Sequence, residues 1–525
     1  MAPELNEDCL SHIFNYLRKT SDDIAILYPC ALVNRIWCKA SMPILWSDPW
    51  AIRNYHCSDS DLDRRRELII NAYISNLPQN SKESLSKIQR NIKATQKTSA
   101  FDYASFLKHL NLKFFGYSIK VWINRSIKNG IINQDSQQII HYLIIEHITK
   151  LLLTRSTSLR SLDLRYCDDI DMRDCLEILA SVLETTNDGL DCLIYLKDFK
   201  YSGSNQVMPR IFASLTSKCQ NIRHLGIYGF RPTDNFFNFI DVQKNLNDTT
   251  ISSYGGGGNG VIGGRFDSSS FSEWTTNEFV SENSKSIIRL SVENICFPLD
   301  FLVNFANLEE LYLRSFDHIF SREGWEPLAR LPLKRLKTFY FQTQLHQPFE
   351  CLDIFAKFVS NTAGELRHIT FITGLLNLIH LDTRQFITSI ATNCPNLEVY
   401  EGPMMENDTE QLALLLEKCT KLRALHIYLM GKSEDDRPTF DFLLSQLSLS
   451  SSLTSNLEFL KISGECLLYD ESVNSFFNVR RNFGKKIHFH WGEFVECIGN
   501  VKDVCKIYQE LGVVKKFGLS RNLRN

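Results

Sequence analysis

From Leu151 onward one spacing of apolar residues recurs: two positions three apart, then a third two further on. It reads Leu159-Leu162-Leu164, Leu190-Leu193-Tyr195, Ile222-Leu225-Ile227 and Ile287-Leu290-Val292. It continues as Leu308-Leu311-Leu313, Leu336-Phe339-Phe341, Leu366-Ile369-Phe371, Leu422-Leu425-Ile427 and Leu457-Leu460-Ile462, with a weaker copy at Leu397-Tyr400. Successive copies stand 21 to 35 residues apart, with one interval of 65 between Ile222 and Ile287. Residues two apart share one face of a strand, so each copy predicts a short strand. Between copies, Cys175–Leu183, Gln411–Lys418 and Phe440–Leu449 carry helical apolar spacing. One strand and one helix cannot hide an apolar face alone, but stacked copies can, which predicts a curved solenoid.

The first fifty residues follow another period. Leu5, Leu10, Ile13, Phe14 and Leu17 lie at helical spacing, and Asn6 or Asp8 is a suitable cap. Pro29 suits the first turn of a second helix running through Ile36 and Trp37. Pro43–Trp46 follows, and the pattern ends at Trp50. Residues 51–150 hold long helical patterns, notably Glu67–Leu77 and Ile139–Leu153, and read as a helical linker fused onto the first repeats.

The repeating spacing resembles the leucine-rich repeat family, with irregular repeats: the Asn or Cys that the family sets eight residues after the first leucine is met only by Cys167. Residues 3–50, with Leu5, Asp8, Leu10, Ile13-Phe14, Leu17, Leu32-Val33-Asn34-Arg35 and Trp37 in that order, resemble the F-box. The segment that follows is similar to that of an expanded fungal family of F-box proteins. The resemblance implies an α/β chain with an all-helical F-box at 1–50, a helical linker at 51–150 and a curved leucine-rich-repeat solenoid at 151–525. A Gly/Ser-rich insertion would occupy about 245–282. It also implies docking on a Skp-family adaptor and, through it, a cullin–RING ubiquitin ligase. Leu5, Leu10, Ile13, Phe14, Val33 and Trp37 are the candidate adaptor-binding residues. Leu10, Phe14, Val33 and Trp37 serve equally well as the module's own core, and one sequence leaves both roles open.

In a solenoid the working surface is the sheet face, whose residues alternate with the buried ones. On this register the face carries Asp163, Arg165, His224, Tyr228, Arg289, Tyr312, Arg314, Tyr340, His368, His426, Tyr428 and Lys461. Tyrosine and arginine are the side chains that anchor interfaces. Arg165, Tyr228, Arg289, Tyr312, Arg314, Tyr340, His368 and Tyr428 are therefore the candidate contacts to a captured target protein.

Composition narrows the rest. The 525 residues are 44% hydrophobic and 22% charged, with a formal net charge of −2, so charge gives no case for nucleic acid. The start MAPELNEDCL has neither a basic nor an apolar run, and no stretch reaches the length of a membrane helix. The 15 cysteines form no C-x-x-C pair, which suits reduced thiols in the cytoplasm or nucleus. Cys219, Cys394 and Cys419 each stand three residues before a repeat and read as packed thiols. Arg64-Arg65-Arg66 lies among acids and reads as a solvated helix face.

The spelling Gly258-Asn-Gly260-Val-Ile-Gly263 matches a dinucleotide loop, but polar turn-prone residues precede it and serine-rich ones follow, so the strand and helix that loop requires are absent. Gly431-Lys432-Ser433 lacks the first glycine of a phosphate loop. His488, His490 and Glu493 lack the further ligands of a metal site. No G-x-S-x-G or H-E-x-x-H is spelled, so no catalytic residue, metal or cofactor is expected. The reading is a non-catalytic substrate receptor of a ubiquitin ligase. The alternatives are a repeat scaffold or GTPase-regulating protein, and an enzyme using the glycine segment, which a nucleotide would stabilise.

Overall fold

The computed structural model describes residues 6–17, 24–51, 58–88, 99–165, 167, 173–186, 190–202, 206–229, 234–252, 285–294, 299–315, 322–343, 351–372, 382–430, 437–450 and 456–519. Leu5, the glycine spelling at 258–263 and the one at 431–433 lie outside them. Two compact units divide the described residues, one ending at Asn247 and the other beginning at Asp248.

The first unit opens with three helices, Glu7–Leu17, Ile24–Ala31 and Arg35–Leu45. Leu10, Phe14, Leu27, Ala40, Ile44 and Leu45 form their core. Asn6 caps the first helix, its Oδ1 accepting the Cys9 N–H at 2.8 Å. The second helix departs from expectation: Pro29 lies inside it rather than in its first turn. The chain breaks after Ala31, and the Asn34 side chain accepts the Trp37 N–H at 2.9 Å to start a third helix. The cap satisfies one of the N–H groups left open at a helix start, which favours a new helix beginning after Asn34.

The helices that follow pack directly on the end of this module. Trp50 donates to Ser118 at 3.1 Å, and Trp46 packs edge-on against Tyr73 at 5.6 Å, within the helices Asp59–Asn76 and Leu112–Lys128. The Ser47 carbonyl accepts two N–H groups, from Lys108 and His109, at the start of strand β1 (His109–Asn111). That strand lies within Leu107-Leu110-Leu112, a buried triplet with the repeat spacing inside the span 51–150. β2 (Ser161–Leu164), β3 (Asp198–Ser202) and β4 (His224–Tyr228) add to it in order, each pair parallel. The copy placed at Leu190-Leu193-Tyr195 is corrected: that segment is a 3₁₀ turn, and the buried triplet is Leu196-Phe199-Tyr201. Both frames fit the spacing, but the turn turns Ile194 and Tyr195 outward.

The second unit continues the same construction. Its first strand, β5 (Asp248–Ser252), falls inside the predicted insertion and pairs parallel with β6 (Arg289–Glu293). Its triplet departs from the apolar spacing because Thr249 holds the middle position of Leu246-Thr249-Ile251. β7 (Glu310–Ser315), β8 (Thr338–Thr343), β9 (His368–Ile372), β10 (Val399–Met405), β11 (Ala424–Met430) and β12 (Phe459–Ser463) follow in sequence order, all parallel. A short strand β13 (Cys466–Tyr469) leaves this ladder and pairs with β15 (Val495–Ile498). β14 (Ile487–Trp491) and β16 (Val514–Leu519) complete the main ladder. The helices Leu352–Ser360, Thr383–Asn393, Thr409–Lys418 and Asp441–Leu449 pack side by side between the strands. Cys219 and Cys419 are buried, their thiols donating to the carbonyls of Leu193 and Cys394 at 3.3 Å in the preceding turn. Cys394 is buried as well.

Candidate interaction surfaces

The helical module sorts its candidate residues by burial. Leu10 and Phe14 are core, and Phe14 meets the half-buried Trp37 edge-on at 5.4 Å. Their place is inside, so they act on a partner only through the fold. Ile13 and Val33 are exposed. So are residues the sequence reading did not select: Tyr16, Leu17, Tyr28, Leu32 and Ile36. Ile13, Tyr16 and Leu17 share one helix face by their spacing. Leu32 and Val33, 85% and 58% exposed, sit at the corner that the Asn34 cap creates. Contiguous exposed apolar patches are uncommon on a free surface and mark contact sites. The signal available in the sequence was the cap: an Asn between two helical runs leaves the residues just before it outside both.

On the sheet of the first unit, Arg165 forms a bidentate pair with Asp163, closest at 2.8 Å, and lies over the Tyr228 ring at 5.2 Å. Gly226 makes room for that ring, since a Cβ there would stand 2.9 Å from it. His224 is exposed and faces Asp198 at 3.8 Å.

On the sheet of the second unit, Tyr312 and Tyr340 are register partners with ring centroids 5.7 Å apart. Arg314 lies over the Tyr340 ring at 5.2 Å and pairs with Glu293 at 2.8 Å. Tyr312 donates to Glu310 at 3.0 Å, and Tyr340 to Gln342 at 2.7 Å. Arg289 grips Glu310 through two bonds, at 2.7 and 3.0 Å. The Arg289 bonds, with help from Tyr312, hold the Glu310 carboxyl below its usual range. Partly exposed pairs of this kind add little stability, under about 1 kcal/mol. Their effect is to fix aromatic rings and guanidinium groups in one arrangement, which lowers the entropy lost on contact. His368 is half-buried, with its Nε2 making no hydrogen bond.

β10, β11 and β12 bring together a group that the sequence reading left scattered. His426, expected to face outward, is buried. Its Nδ1 stands 2.7 Å from Glu401, its Nε2 2.9 Å from Ser463, and Tyr428 donates to the same Glu401 at 2.7 Å. Burial pulls the His426 pKa down, against the pull of Glu401. Burial pushes Glu401 up, but the bonds from His426 and Tyr428 and the charge of Lys461 outweigh it and leave the carboxyl below its usual range. Glu401 and Ser463 had no motif to mark them; only the parallel register places them beside His426. No group of three or more His, Cys, Asp or Glu among the described residues is placed to hold a metal ion. No helix among them is long and apolar enough to cross a membrane.

No family model matches the chain, and no curated protein matches it. Among solved structures, a crystal structure of the Rad7 and Elc1 complex in yeast contains a similar chain. The two share 13% identity over 89% of this chain and 92% of that one, with a TM-score of 0.37. A likeness at that level carries no argument for this protein's fold or activity.

Proposed function

We propose that the N-terminal module is an F-box that docks on a Skp-family adaptor, and that the following units are irregular leucine-rich repeats that capture a target protein for a cullin–RING ubiquitin ligase. The observation that carries this reading is the division of labour in the first three helices. One set of apolar residues closes the core, while Ile13, Tyr16, Leu32, Val33 and Ile36 are left on the surface with Asn34 fixing the corner between them. A module that only capped the first repeat would gain nothing from that exposure. The ordered Tyr312, Arg314 and Tyr340 group supports the capture half, because rigid aromatic and arginine side chains are what interfaces use as anchors. The role asks no bond chemistry of the chain. It raises the concentration of target lysines near the ligase.

The test is binding of the full-length chain to a purified Skp-family adaptor, beside a Leu32→Ser, Val33→Ser double variant. These positions are solvent-exposed, so the variant keeps the wild-type melting temperature. Saturable binding weakened at least tenfold by the double variant is the expected result. A folded wild-type chain that does not bind, or binds equally well with both substitutions, removes the reading.

A further inference from the structure

The network at Glu401, His426 and Ser463 has the order and the distances of a nucleophile, its base and the group that orients the base. The serine Oγ is 2.9 Å from His426 Nε2, and Nδ1 is 2.7 Å from the Glu401 carboxylate. Those contacts fall within the reach expected of an activated serine, whose recognition rests on geometry and not on chain order. Three adjacent parallel strands supply one residue each, so the group is held by the sheet and not by a loop. In a neutral imidazole, an Nδ1–H donated to Glu401 leaves the Nε2 lone pair facing the serine hydroxyl.

Two further observations concern access. Ser463 is the last residue of β12, and Gly464 follows at φ +111°, where a Cβ would meet the Leu429 carbonyl. Gly492 lies beside the hydroxyl: a Cβ there would stand 3.0 Å from Ser463 Oγ, so only glycine leaves that side open. Ser463 and His426 are 8% and 7% exposed, so the pair lies close beneath the surface and not on an open face.

We propose that Ser463 is an activated nucleophile that accepts an acyl group from a small carboxylic ester, with His426 as base and Glu401 as its orienting partner. The Oγ attacks the ester carbonyl carbon while its proton passes to Nε2. Collapse of the tetrahedral intermediate breaks the ester C–O bond, and the departing alkoxide takes the proton from Nε2. Water then attacks the acyl-serine, its proton again passing to Nε2 and on to Oγ, releasing the carboxylic acid and restoring the hydroxyl. Tyr428 and Lys461 act on the same carboxylate, and Tyr428 is a positioning residue that holds Glu401 in place. This activity is independent of adaptor docking.

The experiment treats the full-length chain with an alkyl fluorophosphonate and maps the modified residue by mass spectrometry, with p-nitrophenyl acetate turnover measured in parallel. A merely hydrogen-bonded serine would be as inert as any other in the chain. The expected result is one modified site, Ser463, lost in Ser463→Ala and slowed at least a hundredfold in His426→Asn. Gly492→Ala, which leaves all three proton-handling side chains unchanged, is expected to slow labelling at least tenfold by crowding the hydroxyl. Because His426 is buried, its variant is accompanied by Tyr428→Phe, which leaves the triad's atoms in place and is expected to slow labelling severalfold. A folded chain left unmodified at Ser463, or modified there at an equal rate in all three variants, overturns the proposal.

Discussion

Thr249 shows how a single residue hides an element and leaves a measurable trace. It is fully buried on β5, and its Oγ1 has no hydrogen-bond partner. A buried hydroxyl without a partner costs free energy, of the order of 1–3 kcal/mol. Its neighbours in the triplet, Leu246 and Ile251, are ordinary buried apolar residues. Thr249→Val replaces the hydroxyl with a methyl of nearly the same size and removes that cost. Urea unfolding of the variant is expected to show a gain of about 1 kcal/mol, with an unchanged slope. A loss of stability would mean that the hydroxyl is satisfied in solution. The same residue is why the sequence hid β5: a polar side chain sits where the spacing asks for a large apolar one.

At the scale of elements, the strands with two aliphatic or aromatic residues at the paired positions were legible, because two apolar side chains on one face leave a fixed spacing. Leu311 and Leu313 on β7, or Phe339 and Phe341 on β8, are examples. β1 carries only Leu110, and Leu112 already opens the next helix, so a helical period masks this three-residue strand. β3 was displaced because the 3₁₀ turn at Asp191–Tyr195 mimics the spacing one turn early. The candidate surfaces were legible in part, since alternation fixes which residues face out, as at Tyr312 and Tyr340. It does not fix which of them a neighbour covers, as Tyr428 and Ser463 cover His426. The helix boundary at Asn34 was invisible to periodicity because a cap is a local hydrogen bond. Asn34→Ala is expected to cost about 1 kcal/mol of stability, the usual worth of an N-cap. Asn34→Asp, which keeps the acceptor, should restore most of it. Thermal melts of the three chains decide this, and equal losses in both variants would show that the side chain does something other than cap.

For the whole molecule, burial of ionisable groups sets the pH range of stability. His147, His426, His488 and His490 are all held below the ordinary imidazole pKa of 6.5, with desolvation the largest cause of each shift. The carboxylates of Glu146, Glu401 and Glu458 oppose it and do not overcome it. A base with a lowered folded pKa binds its proton more readily when unfolded, so the unfolded chain gains protons first as pH falls through 6.5. Stability therefore declines on acidification below that point. Glu310, Asp353 and Glu401, held below their ordinary values, extend the decline as they too must protonate. The thiols act at the other end. Burial raises Cys175, Cys192, Cys419 and Cys505 from 9.0 to about 12. Above pH 9 the unfolded chain ionises these thiols while the folded chain keeps them protonated, so stability declines again. The urea midpoint of the reduced protein is expected to be flat from about pH 7 to 8.5 and to fall on both sides. A midpoint that holds steady down to pH 5.5 would mean that the buried imidazoles are charged in the folded state. That outcome would leave His426 without the lone pair on which Ser463 depends.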